Sequence, residues 1–357
     1  MAQYKWFCLI IVAILLSSCS EGLEFTYTGS FPDAEELQGE RILEQEFSNL
    51  TILSADSVIV LTKMRPPYFK VIDTDFNLLA EFGESGEGPG EMNELPYLLD
   101  IYRDSDRILG LIYLNDRHQF MTIDISASTD LGETVVARSG RLPSSLMSTQ
   151  FQFLHPDGER LIGIYDDRFN RQLDERRGVY ILEPEEGEYQ LVELHNLSIF
   201  PFDTMAETNL NAKVPAISQE REKAVMAGRF YPTIEIIDLN SNEVVQKYSI
   251  VEQLPAAEFG LEEFQLGEVM TYYNFVAATE EYIFLLYEGV ENRLLENPQK
   301  KWIQVLDWQG TPVHQFLIPE EYDIHRFTLD IDSDRIFAIS HTQDAIYSFN
   351  LPSGWRE

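Results

Sequence analysis

Asp104-Ser-Asp-Arg-Ile108 returns near the end of the chain as Asp332-Ser-Asp-Arg-Ile336. Each copy lies between two apolar stretches, 98–102 and 108–113 around the first, 327–331 and 336–340 around the second. Polar turn residues between alternating apolar runs predict a hairpin. Turns of the same kind recur near Asp56, Asp106, Gly158, Glu222, Glu280 and Asp334, at spacings of 50 to 64 residues.

A second mark follows each turn: Lys70-Val-Ile-Asp73, Met121-Thr-Ile-Asp124, Tyr180-Ile-Leu-Glu183, Glu235-Ile-Ile-Asp238, Gln304-Val-Leu-Asp307 and Tyr347-Ser-Phe-Asn350. Each is an alternating strand ending in a residue whose side chain can cap a turn. The unit reads strand, turn, strand, variable loop, strand, turn, strand. Repeated four-stranded units of about 40–50 residues predict a β-propeller, because one unit cannot bury both faces and a ring of them can. The expected fold is all-β: a six-bladed β-propeller of four-stranded antiparallel blades. The sixth unit shows only three clear strands before Glu357. An N-terminal segment should supply the missing outer strand, with 42–47 the first candidate and 25–28 the second. Residues 256–270 have near-helical apolar spacing and read equally as a short inserted helix or as a loop.

The N-terminus reads as a processing signal. Lys5 is followed by eleven apolar residues, Trp6 to Leu16, then Ser17, Ser18 and Cys19. Eleven residues are too few to span a bilayer, which needs roughly 20. The order is that of a secretory signal, and Leu16-Ser-Ser-Cys19 resembles a bacterial lipobox. The resemblance implies cleavage before Cys19 and acylation of that residue, which would anchor the chain stably. The expected organisation is 1–18 lipoprotein signal peptide, 19–40 lipidated cysteine and tether, and 41–357 propeller. Ser20 in place of Asp implies the outer membrane as the address within the cell envelope; which side it faces stays open. The second cysteine, Cys8, lies inside the signal, so the mature chain has no internal disulfide. Stability must come from a core, and 22 Phe and 17 Tyr supply the material.

The formal charge is −34, and loss of Lys5 with the signal takes it to −35. Such a surface repels nucleic acid and anionic headgroups. Partners are then the membrane, through Cys19, and a protein or anionic glycan, with the chain itself monomeric.

Phe82-Gly-Glu-Ser-Gly-Glu-Gly-Pro-Gly-Glu-Met92, followed by Leu95-Pro96, resembles the link between blades of NHL-type propellers. It is more similar still to that of the TolB-like six-bladed propeller lipoproteins of Bacteroidota. The resemblance spans roughly residues 40–350 as a repeat pattern and implies fold and compartment. The residues read the same way unaided. Gly83, Gly86, Gly88 and Gly90 permit positive φ and close packing where the chain crosses between blades. The pattern of a nucleotide-binding loop is missing.

Chemistry is sparse. His118, His155, His195, His314, His325 and His341 show no zinc spacing. Asp330-Ile-Asp332-Ser-Asp334 has the acid spacing of a calcium loop, but Arg335 and His341 occupy the positions that need Gly and Glu. It reads as a polar turn. No metal ligand, cofactor or catalytic residue is assigned, and an axial calcium stays open. There is no Gly-x-Ser-x-Gly elbow. The loops joining second to third strands carry Arg65, Arg117, Arg168, Arg229 and Arg293, with Arg171, Arg176, Arg177, Lys300 and Lys301 in the longer ones. Tyr68, Phe169, Phe230 and Tyr231 sit beside them. Five such windows sum to +3, so the expectation is a basic mouth on an acidic body. Arginine forks suit carboxylate and phosphate. The arginines could instead pair with Asp116, Asp167 and Glu291. The expected function is a binding scaffold using Arg65, Arg117, Arg168, Arg229, Arg293, Tyr68 and Tyr231. The alternative is a propeller enzyme of lyase, lactonase or glycosidase type with an axial site, and a third reading is a structural tether.

Overall fold

The computed structural model describes residues 25–44, 49–55, 57–88, 90–141, 150–157, 160–166, 177–185, 188–196, 212–218, 222–241, 243–254, 268–295, 299–340 and 342–356. For 43–44, 49–50 and the strands between 150 and 196 only the backbone is described. The signal, Cys19, Arg168 and positions 256–267 of the expected helix lie outside these residues.

Among the described residues the strands form five sheets. The first runs Asn49–Ala55, Val58–Lys63, Phe69–Asp73, Leu78–Phe82 as an antiparallel meander. The second is double. One half is Tyr97–Asp104, Arg107–Leu114, Gln119–Asp124, Val136–Arg141; the other is Gln150–Asp157, Arg160–Asp166, Arg177–Glu185, Glu188–Asn196. The third is Lys213–Ser218, Lys223–Gly228, Thr233–Asp238, Glu243–Ser249. The fourth is Met270–Ala278, Tyr282–Glu291, Lys301–Asp307, Pro312–Ile318. The fifth is Arg326–Asp330, Arg335–Ser340, Ala345–Asn350.

The expected six blades are therefore corrected to five sheets. The cause is one parallel bridge, Arg141 to Glu188, which joins the outer strands of two meanders into an eight-stranded sheet. The first strands pack in sequence: Asn49–Ala55 on Tyr97–Asp104, then Gln150–Asp157, Lys213–Ser218, Met270–Ala278 and Arg326–Asp330, which returns to Asn49–Ala55. This closed circuit of inner strands makes the fold a β-propeller.

Closure comes from the N-terminus. Gly39–Glu44 pairs antiparallel with Ala345–Asn350 as the missing outer strand, three residues earlier than the expected 42–47. Tyr322 pins it: its hydroxyl accepts from Gly39 N at 2.9 Å and donates to Gly39 O at 3.1 Å. The segment expected as a tether is stitched down from residue 26. Thr26–Tyr27 adds in parallel to the third sheet and Glu35–Glu36 to the fourth. Thr28 N donates to Ser249 O and Leu37 N to Leu317 O, both at 2.9 Å. Residues 26–44 thus form a belt over the outer edges of three successive sheets.

The second marks cap turns as the chemistry demands. Asp73 Oδ1 accepts from Asp75 N and Asn77 N, Asp238 Oδ1 from Asn240 N and Ser241 N, and Asp307 Oδ1 from Gln309 N and Thr311 N. Asp124 instead N-caps a helix, α1 (Ile125–Leu131), accepting from Ala127 N at 2.8 Å. Gly132 ends α1 at φ 70°. The twin pentapeptides make different turns. Asp104 pairs with Arg107 around two residues, whereas Asp330 pairs with Arg335 around four. The calcium-like acids are part of that longer turn, with the Asp330 carboxylate accepting from Ser333 N and the Ser333 hydroxyl. The Gly-rich stretch links the first and second sheets. A Cβ on Gly83 (φ 92°) would come within 2.8 Å of the Phe69 ring.

The core lies between sheets. Val60, Phe69, Phe82, Ile112 and Ile123 fill the joint of the first and second sheets, and Phe284, Ile303, Phe316, Phe327 and Phe349 that of the fourth and fifth. Trp355 folds back onto Phe284 and Phe316, and its indole donates to Asp334 Oδ1 at 2.9 Å.

Candidate functional site

In each antiparallel meander the second strand ends, and the first and third begin, at the same end of the ring. That end holds the arginine loops. Arg65 is exposed and Arg117 half-buried. Neither side chain makes a hydrogen bond or ion pair among the described residues. The Arg117 loop is held by Glu94, whose carboxylate accepts from Asp116 N at 2.6 Å and Arg117 N at 3.1 Å. Burial, with the Glu94 charge adding, pushes the Tyr113 hydroxyl beneath it up to about 12. Arg229 lies over the Phe230 ring at 5.3 Å. Its backbone joins the third sheet to the fourth, donating to Ala212 O and accepting from Tyr272 N. Arg293 Nε donates to Glu291 at 2.6 Å, so here the arginine pairs locally.

Three expectations about this end change. Tyr68 and Tyr231 are buried, each 6 % exposed, and Phe230 is also buried. They are core side chains below the loops. Lys301 is buried too: Nζ donates to Ile324 O at 2.7 Å and lies 3.3 Å from Glu288 and 3.4 Å from Asp323. Lys213, at the start of the third sheet, is buried in a pair with Glu235. The third change is electrostatic. Connections from each outer strand to the next inner strand share this end. Residues 83–96 carry Glu84, Glu87, Glu91 and Glu94, and residues 319–325 carry Glu320, Glu321 and Asp323; neither connection carries Lys or Arg. Residues 83–96 alone more than cancel the +3 of the basic loops. The end is acidic with isolated guanidinium groups, and is not a basic mouth.

One guanidinium escaped the loop reading. Arg326 opens the inner strand of the fifth sheet. It is solvent-exposed, and among the described residues it makes no hydrogen bond or ion pair. Surrounding protein desolvates it enough to hold its pKa below the usual arginine value. The signal in the sequence is its place as first residue of an inner strand, which is legible only once strand starts are known. Arg326, Arg65 and Arg117 occupy the fifth, first and second sheets, three neighbours in the ring. Among the described residues no three His, Cys, Asp or Glu side chains gather as a metal site would need.

No family model and no curated protein matches the chain. Solved structures do. A Bacteroides fragilis protein described as exported is 14 % identical with a TM-score of 0.55, covering 91 % of this chain and 97 % of its own. A member of the DUF4221 family from Bacteroides vulgatus is 12 % identical with a TM-score of 0.58, covering 88 % and 96 %. At such identities the likeness establishes the fold: this chain is a β-propeller built of antiparallel four-stranded meanders.

Proposed function

We propose that the protein is an exported binding scaffold, anchored to the cell envelope through acylated Cys19 and engaging a protein, peptide or anionic glycan at the ring end that carries Arg326, Arg65 and Arg117. The observation carrying this reading is that three neighbouring sheets each present, at one end of the ring, a guanidinium that makes no hydrogen bond or ion pair among the described residues. Other arginines of this chain pair with nearby acids, as in Arg107–Asp104, Arg293–Glu291 and Arg356–Asp334. On a surface of such negative charge, an unpaired arginine is a fork for one anionic group rather than a source of long-range attraction. The exported description of the similar Bacteroides fragilis protein supports the compartment, as does the signal-like N-terminus. The test is recovery of a partner from solubilised envelopes by the full chain in detergent. The bait is compared with one carrying Arg65→Glu and Arg117→Glu. Loss of a specific partner with the substituted bait supports the reading, and identical recovery defeats it.

A further inference from the structure

Three ionisable side chains meet away from water where the fourth sheet joins the chain entering the fifth. Lys301 opens the third strand of the fourth sheet, Glu288 lies near the end of its second strand, and Asp323 stands in the connection to the fifth sheet. They are 2 %, 1 % and 1 % exposed. Lys301 Nζ lies 3.4 Å from Asp323 Oδ1 and 3.3 Å from Glu288 Oε1. Its hydrogen bond to Ile324 O, at 2.7 Å, holds the ammonium beside the preceding residue, Asp323. The two Asp323 oxygens differ. Oδ2 accepts from the Thr342 hydroxyl, whereas Oδ1, on the ammonium side, makes no hydrogen bond among the described residues. Asn274 Nδ2 donates to Glu288 Oε1 at 3.4 Å. Burial raises the Glu288 pKa, with Lys301 opposing, so its protonated form is favoured relative to an exposed carboxyl. An ammonium and a carboxylate out of water are costly, and a proton passed between them removes both charges. That transfer leaves an amine against a carboxylic acid, and groups held this close react as if at very high concentration.

We infer that Lys301 and Asp323 condense to an intramolecular amide, with Glu288 as proton relay, tying the fourth sheet to the connection that enters the fifth. The Lys301 Nζ bonds to Asp323 Cγ, and the Cγ–Oδ1 bond breaks. Of the three ammonium protons, one stays on the amide nitrogen and two leave with Oδ1 as water. Protonated Glu288 gives its proton towards Oδ1 and takes one from the nitrogen, ending as it began. The Thr342 hydroxyl steadies the charge that develops on Oδ2. No oxidant or co-reactant is consumed. The product is neutral, so two charges disappear from the buried joint. Cys8 and Cys19 are the only cysteines of the chain, so no disulfide can tie these sheets together. An amide between residues 301 and 323 constrains the unfolded chain as a disulfide does. It is independent of the binding site proposed above.

The experiment is tryptic mapping by mass spectrometry of the full chain, purified in detergent and denatured before digestion. Residues 302–325 contain no Lys or Arg. An unlinked chain is cut after Lys301 and releases 302–326. A linked chain resists cleavage there and releases 301–326, lighter by one water, with no fragment ions from bonds between positions 301 and 323. The lighter 301–326 peptide as main product is the expected result. Lys301→Met should give 301–326 at full mass. A folded Glu288→Gln variant should shift the products towards 302–326, lowering the linked-to-unlinked ratio at least about tenfold. Recovery of 302–326 alone from the natural chain overturns the inference, as does 301–326 at full mass. A water loss reversed by mild base overturns it too, since that marks an aspartyl succinimide and an amide persists. A linked fraction unchanged by Glu288→Gln overturns the relay assigned to Glu288.

Discussion

Lys301 and Asp323 meet at 3.4 Å at the joint between the fourth sheet and the chain entering the fifth, and neither side chain is more than 3 % exposed. Glu288, 1 % exposed, completes the cluster at 3.3 Å from the same ammonium. The Thr342 hydroxyl donates to Asp323 Oδ2, while Asp323 Oδ1 makes no hydrogen bond among the described residues. Two carboxylates share one lysine away from water. Desolvation makes such a cluster costly, and removing one partner costs more than the pair contributes. Lys301→Met should therefore destabilise the protein by about 3 kcal/mol, read from urea midpoints. Adding Glu288→Gln should recover part of the loss, since one buried charge fewer is left uncompensated. An unchanged midpoint for the single variant would refute the account.

The same cluster sets a pH dependence. Burial holds the Glu288 carboxyl above its ordinary range, with Lys301 opposing. The folded state then binds this proton more tightly than the unfolded chain. Ionised Glu288 costs stability; the cost is absent below the unfolded value of about 4.3 and grows as pH rises through the higher folded value. Glu288→Gln should flatten the decline in stability above about pH 4.5. Denaturation midpoints across pH 4.5 to 7.5 that fall in parallel for both proteins would contradict it.

Turn carboxylates act in the opposite direction and in another window. Hydrogen bonds from the Asn77 side chain and backbone lower the Asp73 pKa, and the Ser241 backbone N–H does the same for Asp238. Their stabilisation is present above the ordinary carboxylate value and is lost as pH falls through the lowered one. Asp73→Asn and Asp238→Asn should each make stability less sensitive to acid below about pH 4. Guanidinium titrations at pH 3 and pH 5 would measure the difference.

Ring closure rests on Gly39. A Cβ there would stand 2.5 Å from Phe349 Cε1 and 2.8 Å from Tyr322 Cε1. Both are ring atoms of packed side chains, so neither moves freely. Gly39→Ala should destabilise by about 1–3 kcal/mol through overpacking. Tyr322→Phe removes the two hydrogen bonds to Gly39 and should cost about 1 kcal/mol. Proteolysis of residues 26–44 should quicken in both variants if the belt is held through this strand; unchanged digestion would show that the belt holds without it.

Leu37 anchors the belt between those stitches, 2 % exposed within the joint of the fourth and fifth sheets. Leu37→Ala should cost about 2–4 kcal/mol, measured as a lower melting temperature. A loss under about 0.5 kcal/mol, the range of surface sites, would mean that the belt adds little to closure.

Local chemistry was legible in residues 70–73, 235–238 and 304–307, because alternation and a terminal Asp both act within a few residues. The hairpin corner at both copies of Asp-Ser-Asp-Arg-Ile was equally legible, although the two turns differ in length. The turn residues are shared; the pairing register of the flanking strands is not. Arg293 illustrates the limit for the site. Its partner Glu291 is two residues away and could be read from the chain, whereas the burial of Tyr68, Tyr231 and Lys301 depends on a neighbouring sheet.

The sequence by itself determined the strand–turn rhythm, the four-stranded meander, the need for an N-terminal closing strand and the overall acidity, all of which follow from periodicity and composition. Tertiary structure decided that Arg141 meets Glu188 and merges two meanders, and that residues 26–44 bind as a belt. It also decided that acidic connections share an end with the arginine loops and that Arg326 stands exposed at the start of an inner strand. These depend on contacts between residues up to hundreds of positions apart, whose geometry is set by how the sheets close into a ring.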